Sequence, residues 1–264
     1  MSRPLLEVRD LSIAFEQYGR GLQCFTSTPI QALNVEIQRG EILAVVGASG
    51  SGKSLLAHAV MGILPPNALV RGKILYDGRL LDGKRIKKYR GAQIAFIPQS
   101  VNYLDPSMKV KHQVRLGLRH SRRTRCAMQE NLFEQFGLKK SDGELYPCQL
   151  SGGMLRRVLF ATSMGKDTEL VIADEPTPGI HQAVLELVLR QLRNFADNGI
   201  GVMLITHDIV SAVKIADRIS VFQNGKTLET VPANFFSGNG ERLTEIYSRK
   251  LWRSLPQNEF ITVE

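Results

Sequence analysis

Residues 47–54 read Gly47, Ala48, Ser49, Gly50, Ser51, Gly52, Lys53, Ser54, which fits the pattern G-x-x-x-x-G-K-[ST] throughout. Glycines at these positions let a backbone wrap a phosphate with several N–H groups pointing inward. A helix opening at Lys53 would present its positive end to the same anion. Lys53 then neutralises the β- and γ-phosphates of a nucleoside triphosphate, and the Ser54 hydroxyl is placed to ligate Mg²⁺. A second constellation is the acidic pair Asp174 and Glu175, which closes the apolar run Leu170-Val171-Ile172-Ala173. A carboxylate at the end of a buried strand can reach a metal beside a phosphate loop, so Asp174 is assigned to Mg²⁺. Glu175 follows where it can polarise an attacking water, and phosphoryl transfer asks mainly for such orientation and charge placement.

The elements that must position these residues are legible in the hydrophobic pattern. Ile42-Leu43-Ala44-Val45-Val46 is a continuous apolar run, as expected of a strand covered on both faces, and it leads directly into the glycine loop. Lys53 to Met61 reads as a helix. Val202-Met203-Leu204-Ile205 is a further short apolar strand. Strands of this kind separated by helical segments predict an α/β fold with a parallel sheet. Leu11, Ile13 and Phe15, and then Leu33, Val35 and Ile37, alternate with polar neighbours, predicting an N-terminal antiparallel β subdomain. Residues 102–166 are helical and basic in pattern and predict a helical subdomain inserted into the core. Asn224-Gly225 between two β-rich runs predicts a hairpin. The chain therefore divides into a nucleotide-binding domain over 1–240 and a weakly patterned C-terminal tail over 241–264.

A phosphate loop and a strand-terminal acidic pair describe a nucleotide triphosphatase without saying which kind. Leu150-Ser151-Gly152-Gly153-Met154, lying between the two, resembles the LSGGQ signature of the ABC ATPases, with Met154 in the last place. In that family the loop contacts ATP held by the opposite subunit. The resemblance thus implies a dimer with two ATP molecules between phosphate loops and signature loops, and assigns Ser151, Gly152 and Gly153 to nucleotide binding. Further matches fall in order along the chain. Gln99, after Ile94-Ala95-Phe96-Ile97-Pro98, resembles the glutamine that touches Mg²⁺ and water and reports ATP status to the membrane subunits. His207, after Leu204-Ile205-Thr206, resembles the switch histidine at the γ-phosphate. Phe15 is either the aromatic that stacks on adenine or a core phenylalanine.

The resemblance covers about residues 5–230 and is closest in pattern to the dipeptide, oligopeptide and nickel importer group, through Ser151-Gly152-Gly153-Met154-Leu155-Arg156-Arg157 and the Gln99…Leu104-Asp105-Pro106 stretch. It implies an ATP-hydrolysing subunit at the cytoplasmic face of the cell membrane. Its expected partners are a second ATPase subunit, two integral membrane permeases and an extracytoplasmic substrate-binding protein. Peptides are the first expected cargo, and nickel or a metal chelate the second. Many members carry a C-terminal cysteine cluster for an iron–sulfur centre; no cysteine follows Cys148 here, and no cluster is expected. One departure stands out. After Asp174-Glu175-Pro176-Thr177 the chain continues Pro178-Gly179-Ile180-His181, so His181 takes the place of the usual aspartate in the loop that crosses the dimer interface. Either the chain pairs with a different ATPase and the two ATP sites are unequal, or the change is neutral.

Composition sets the remaining bounds. With 264 residues, 43% of them hydrophobic, and only three cysteines without a CxxC pair, the chain reads as an ordinary globular protein of a reducing compartment. No apolar run approaches the roughly 20 residues of a membrane-spanning helix. The N-terminus, with Arg3, Glu7, Arg9 and Asp10, lacks the apolar segment of a signal peptide. The net charge of +9 is concentrated in clusters such as Lys84-Arg85-Ile86-Lys87-Lys88 and Arg119-His120-Ser121-Arg122-Arg123. These suit a solvated surface near a bilayer; no aromatic-rich basic platform or zinc pattern accompanies them, and nucleic acid is not an expected partner. A soluble ABC ATPase unconnected to transport is the alternative, although the chain has one phosphate loop and no heptad run, against the two-cassette and coiled-coil forms such proteins take.

Overall fold

The computed structural model describes residues 3–18, 24–118, 121–165, 167–176 and 182–255. The loop that carries His181, the Arg119–His120 part of the second basic cluster and the chain beyond Leu255 lie outside them.

Two sheets carry the architecture. The first is antiparallel, in the order β2-β1-β4-β5, from β1 (Leu6–Tyr18), β2 (Cys24–Ile37), β4 (Ala68–Tyr76) and β5 (Arg79–Leu80). Between β2 and β4 in sequence come β3 (Ile42–Gly47) and helix α1 (Lys53–Met61); α2 (Gly83–Tyr89) follows β5. The second sheet contains β3, β6 (Ile94–Ile97), β7 (Leu170–Asp174), β8 (Gly201–Ile205), β9 (Arg218–Gln223) and β10 (Lys226–Pro232), in the order β10-β9-β3-β8-β7-β6. Its five strands from β9 to β6 are parallel, and β10 returns antiparallel to β9. β3, β7 and β8 are buried along their whole length, because helices cover both faces of the parallel sheet. The β9–β10 turn places Asn224 at φ 49° and Gly225 at φ 75°, the two left-handed residues of a hairpin whose twist matches its strands.

Between β6 and β7 the described chain is helical: α3 (Val110–Leu116), α4 (Arg122–Gln135) and α5 (Gly152–Ser163), with short 3₁₀ turns and no strand among the described residues. Phe133, Phe136 and Phe160 are buried in one cluster with Val171 and Ala173 of β7 and Val202 and Leu204 of β8. The helical region thus shares a core with the sheet. α6 (Gln182–Asp197) and α7 (Ile209–Ile215) complete the crossovers. A separate cluster joins Ala44 and Val46 of β3 to Ile209, Phe236, Leu243 and Trp252. Trp252 belongs to α8 (Ile246–Arg253), so the weakly patterned segment after Gly240 is packed on the core through that helix. Burying a side chain of this size contributes roughly 1.5–3 kcal/mol.

Candidate functional site

The parallel order puts β3 at the point where connections leave in opposite directions, and ligands of open α/β sheets bind outside the carboxyl ends of strands at such a point. At that edge β3 ends in Gly47, β7 in Asp174, β6 leads to Gln99 and β8 to His207. A cleft of about 640 Å³ opens there, lined by Pro29, Ser49, Gly50, Gly52, Lys53, Ser54, Leu55, Gln99, Glu175 and His207.

The phosphate loop is held by contacts that only glycine allows. A Cβ on Gly47 would lie 2.2 Å from the Phe222 carbonyl oxygen, and Gly52, at φ 97°, packs against Ile30 of β2. The first helical turn of α1 has no side-chain cap and no acidic residue, so its N–H groups remain available to an anion. Lys53 is almost fully buried. Its ammonium donates to the carbonyls of Gly47 at 2.8 Å and Ala48 at 2.9 Å, and approaches Ser51 Oγ at 3.5 Å. Burial lowers its pKa below the ordinary lysine value, against the opposing pull of the Glu175 and Asp174 carboxylates.

Asp174 is buried, and its Oδ1 accepts from the Ser54 hydroxyl at 3.1 Å. Burial raises its pKa, and the Ser54 hydrogen bond works in the opposite direction. Glu175 leaves the strand in the left-handed region, at φ 43°, a conformation that costs a non-glycine residue energy and marks a constrained position. Its N–H donates to the Ile205 carbonyl at 2.8 Å, fixing the turn against β8. Its Oε2 is met by two side chains: Gln99 Nε2 donates to it at 3.4 Å, and His207 Nδ1 lies 3.1 Å away. His207 is mostly exposed, while Glu175 is largely buried. The carboxylate is therefore oriented from two strands at once.

The structure brings Lys53, Ser54, Asp174, Glu175, Gln99 and His207 together. It does not bring Ser151, Gly152 or Gly153 to this cleft. Ser151 is exposed and caps α5, its Oγ accepting from the Met154 N–H at 3.3 Å, and Gly153 packs against Val184 of α6. Phe15 does not line the cleft either; it is half-buried and packs on the core shared by the antiparallel sheet and α1. Three contributors escaped the sequence reading. Pro29 and Leu55 line the cleft as apolar walls, and the Tyr247 hydroxyl of α8 accepts from the Ala48 N–H at 3.3 Å. The i, i+4 spacing of Tyr247 with Leu251, beside Ser248 with Trp252, is the helical signal that could have located α8.

Comparison with known proteins identifies the family. Residues 30–178 match the ABC transporter family. The oligopeptide transport ATP-binding protein OppD of Bacillus subtilis is 36% identical over 242 residues, covering 86% of this chain and 65% of that protein. OppD of Lactococcus lactis subsp. cremoris is 34% identical over 276 residues, covering 99% of this chain and 78% of that protein. Among solved structures, cbiO1 of Clostridium perfringens, part of the ABC transporter complex cbiONQ, superposes with a TM-score of 0.74 at 25% identity over 97% of each chain. This chain spans about two thirds to four fifths of the length of these two OppD relatives. The chain belongs to the ABC transporter family.

Proposed function

We propose that this chain hydrolyses ATP to drive import of peptides through a membrane complex, one of its two ATP sites being built around Glu175. The observation that carries the reading is the convergence of Gln99 and His207 on Glu175 Oε2, beside Lys53 and the Ser54–Asp174 pair. Lys53 and the free N–H groups of α1 hold the phosphates. Glu175 accepts a hydrogen bond from the attacking water and orients it, while Gln99 and His207 keep the carboxylate in place and His207 reaches toward the γ-phosphate. Ser54, Asp174 and Gln99 offer hard oxygen donors of the kind Mg²⁺ takes, and Asp174 already lies within hydrogen-bond reach of Ser54. Mg²⁺ held there would neutralise charge developing on the transferred phosphoryl group. Phe15 is assigned to the core, with adenine left to the apolar walls Pro29 and Leu55.

Ser151, Gly152 and Gly153 lie at an exposed helix start away from this cleft, which supports their use in a neighbour's ATP site and hence a dimer. A different ATPase chain as that neighbour, with His181 making the two sites unequal, is our reading of the sequence departure. A groove of about 460 Å³ supports docking of a permease segment. It is lined by Met61, Ile63, Phe96, Pro98, Tyr103 and Leu116 among others, with Tyr103 and Leu116 strongly exposed. Pro98 lines this groove and Gln99 the ATP cleft, so adjacent residues touch both. Among the described residues no helix is long and apolar enough to cross a membrane, and the permeases would hold this chain at the cytoplasmic face. A binding protein outside the membrane would deliver the peptide. The names of the OppD relatives favour peptides over nickel or metal chelates.

The test is transport in the complex reconstituted in vesicles. ATP-dependent uptake of a labelled oligopeptide, abolished by Glu175→Gln, is expected. Uptake of Ni²⁺ but not peptide would overturn the cargo, and uptake unaffected by Glu175→Gln would overturn the mechanism.

A further inference from the structure

Among the described residues, Arg156 is a buried cation without an ion pair. It is 6% exposed, among the described residues no carboxylate forms a salt bridge with it, and its Nε is buried with no hydrogen-bond partner. Burial depresses its pKa, as expected of a desolvated cation. Such a group costs stability and is more cheaply replaced by an apolar side chain. Its one strong contact is the Nη1 donation to the backbone carbonyl of Gln99, at 2.7 Å across 57 residues of sequence. Its neighbour Arg157 behaves differently. One helical step around α5, it donates to the Gly137 carbonyl at 2.7 Å and secures the helical region, leaving Arg156 alone to reach the edge of the parallel sheet.

We propose that Arg156 is a positioning residue for ATP hydrolysis, fixing Gln99 so that its amide meets Glu175, and that it ties the signature helix of one ATP site to the catalytic carboxylate of the other. The inference rests on the role assigned above to Glu175. Ser151 caps α5 and Arg156 follows five residues later on the same rigid helix. From Arg156 the chain of contacts runs through the Gln99 carbonyl to Gln99 Nε2 and then to Glu175 Oε2. A displacement at the start of α5, where a neighbour's nucleotide would bind, therefore moves the group that orients the carboxylate. The hydrogen bonds of Lys53 to the Gly47 and Ala48 carbonyls share no residue with this chain of contacts, so Arg156 should act on turnover rather than on affinity.

The experiment is steady-state ATPase kinetics of the assembled complex with Arg156→Met, Arg156→Lys and Arg156→Met in a Gln99→Ala background. Arg156→Met should lower kcat about tenfold with KM for ATP unchanged within about twofold, the split expected when only an orienting interaction is lost. Its Tm should be equal to or above that of the parent, since an unpaired buried charge is removed. Arg156→Lys, which keeps a donor for the Gln99 carbonyl and tests the idea even if the methionine variant fails to fold, should recover at least about half of the parent kcat. In the Gln99→Ala background the same Arg156→Met change should cost less than about twofold, because the two residues act in series. An unchanged kcat in Arg156→Met, an undiminished tenfold loss without the Gln99 side chain, or no recovery with lysine would each overturn the proposal. Loss of activity in Glu175→Gln is measured separately, so failure of the underlying reading is distinguishable.

Discussion

Two helix starts in this molecule are suited to phosphate, and they differ in everything around them. α1 begins at Gly52 with no side-chain cap and a first turn sunk in the fold, facing Lys53, Asp174, Glu175, Gln99 and His207. α5 begins at exposed Ser151, whose hydroxyl already caps the helix, and none of the cleft's charged residues stands beside it. The first end has the charge and the oriented carboxylate that chemistry requires. The second has backbone donors and a hydroxyl only. A helix start with donors but no neighbouring charge would be of use if another chain brought the nucleotide, and that contrast is the physical case for the shared site proposed above.

The largest effect should come from Glu175→Gln, which keeps the shape and the Gln99 contact but removes the proposed base. Turnover of the assembled complex should fall by about 10²–10³-fold while the Kd for ATP stays within about twofold. Single-turnover hydrolysis and equilibrium binding measure the two quantities, and an equal loss in both would make Glu175 a binding residue and weaken the contrast between the ends. Lys53→Ala should reduce ATP affinity about a hundredfold, the loss of a charge-assisted contact to phosphate in a partly buried site. Calorimetric titration of the isolated chain checks it.

Much of this was legible because it is local. The glycine loop, the apolar run before it and the helix after it are contiguous, and β3 and α1 fall where the pattern predicts. The antiparallel alternation of Leu11 and Ile13 against Leu33 and Val35 likewise survives as paired strands. What the sequence left dark is long-range. Arg156 meets Gln99 across 57 residues and Tyr247 meets Ala48 across 199, and no periodicity encodes either contact. α8 was obscured by its short length and by the polar residues, Arg249, Lys250 and Arg253, that surround its buried Trp252. Phe15 shows the limit of type alone: an aromatic suits adenine and a core equally, and here it is half-buried against the first core cluster and outside the lining of the cleft.

A smaller effect concerns the segment that delivers Ser151. Glu144 is paired with Lys109 and Lys111, which hold its pKa at about 2 against an ordinary 4.5. A depressed carboxylate contributes stability above its unfolded pKa and loses it as pH falls through the folded one. The Tm difference between parent and Glu144→Gln should therefore be constant from neutral pH to about 4.5 and vanish toward about pH 2. The effect is small because the pair is exposed and screened. A difference growing toward low pH would contradict the pairing.

The proposed division of one site between two chains is tested most directly by Ser151→Asp. Aspartate preserves the helix cap, so α5 should fold, but it sets a negative charge against any phosphate bound there. ATP affinity of the isolated chain should stay within about twofold of the parent, while turnover of the assembled complex falls at least about tenfold, as like-charge repulsion at a phosphate site requires. Loss of ATP affinity in the isolated chain, on the scale of Lys53→Ala, would place both helix ends in a single site and contradict the account.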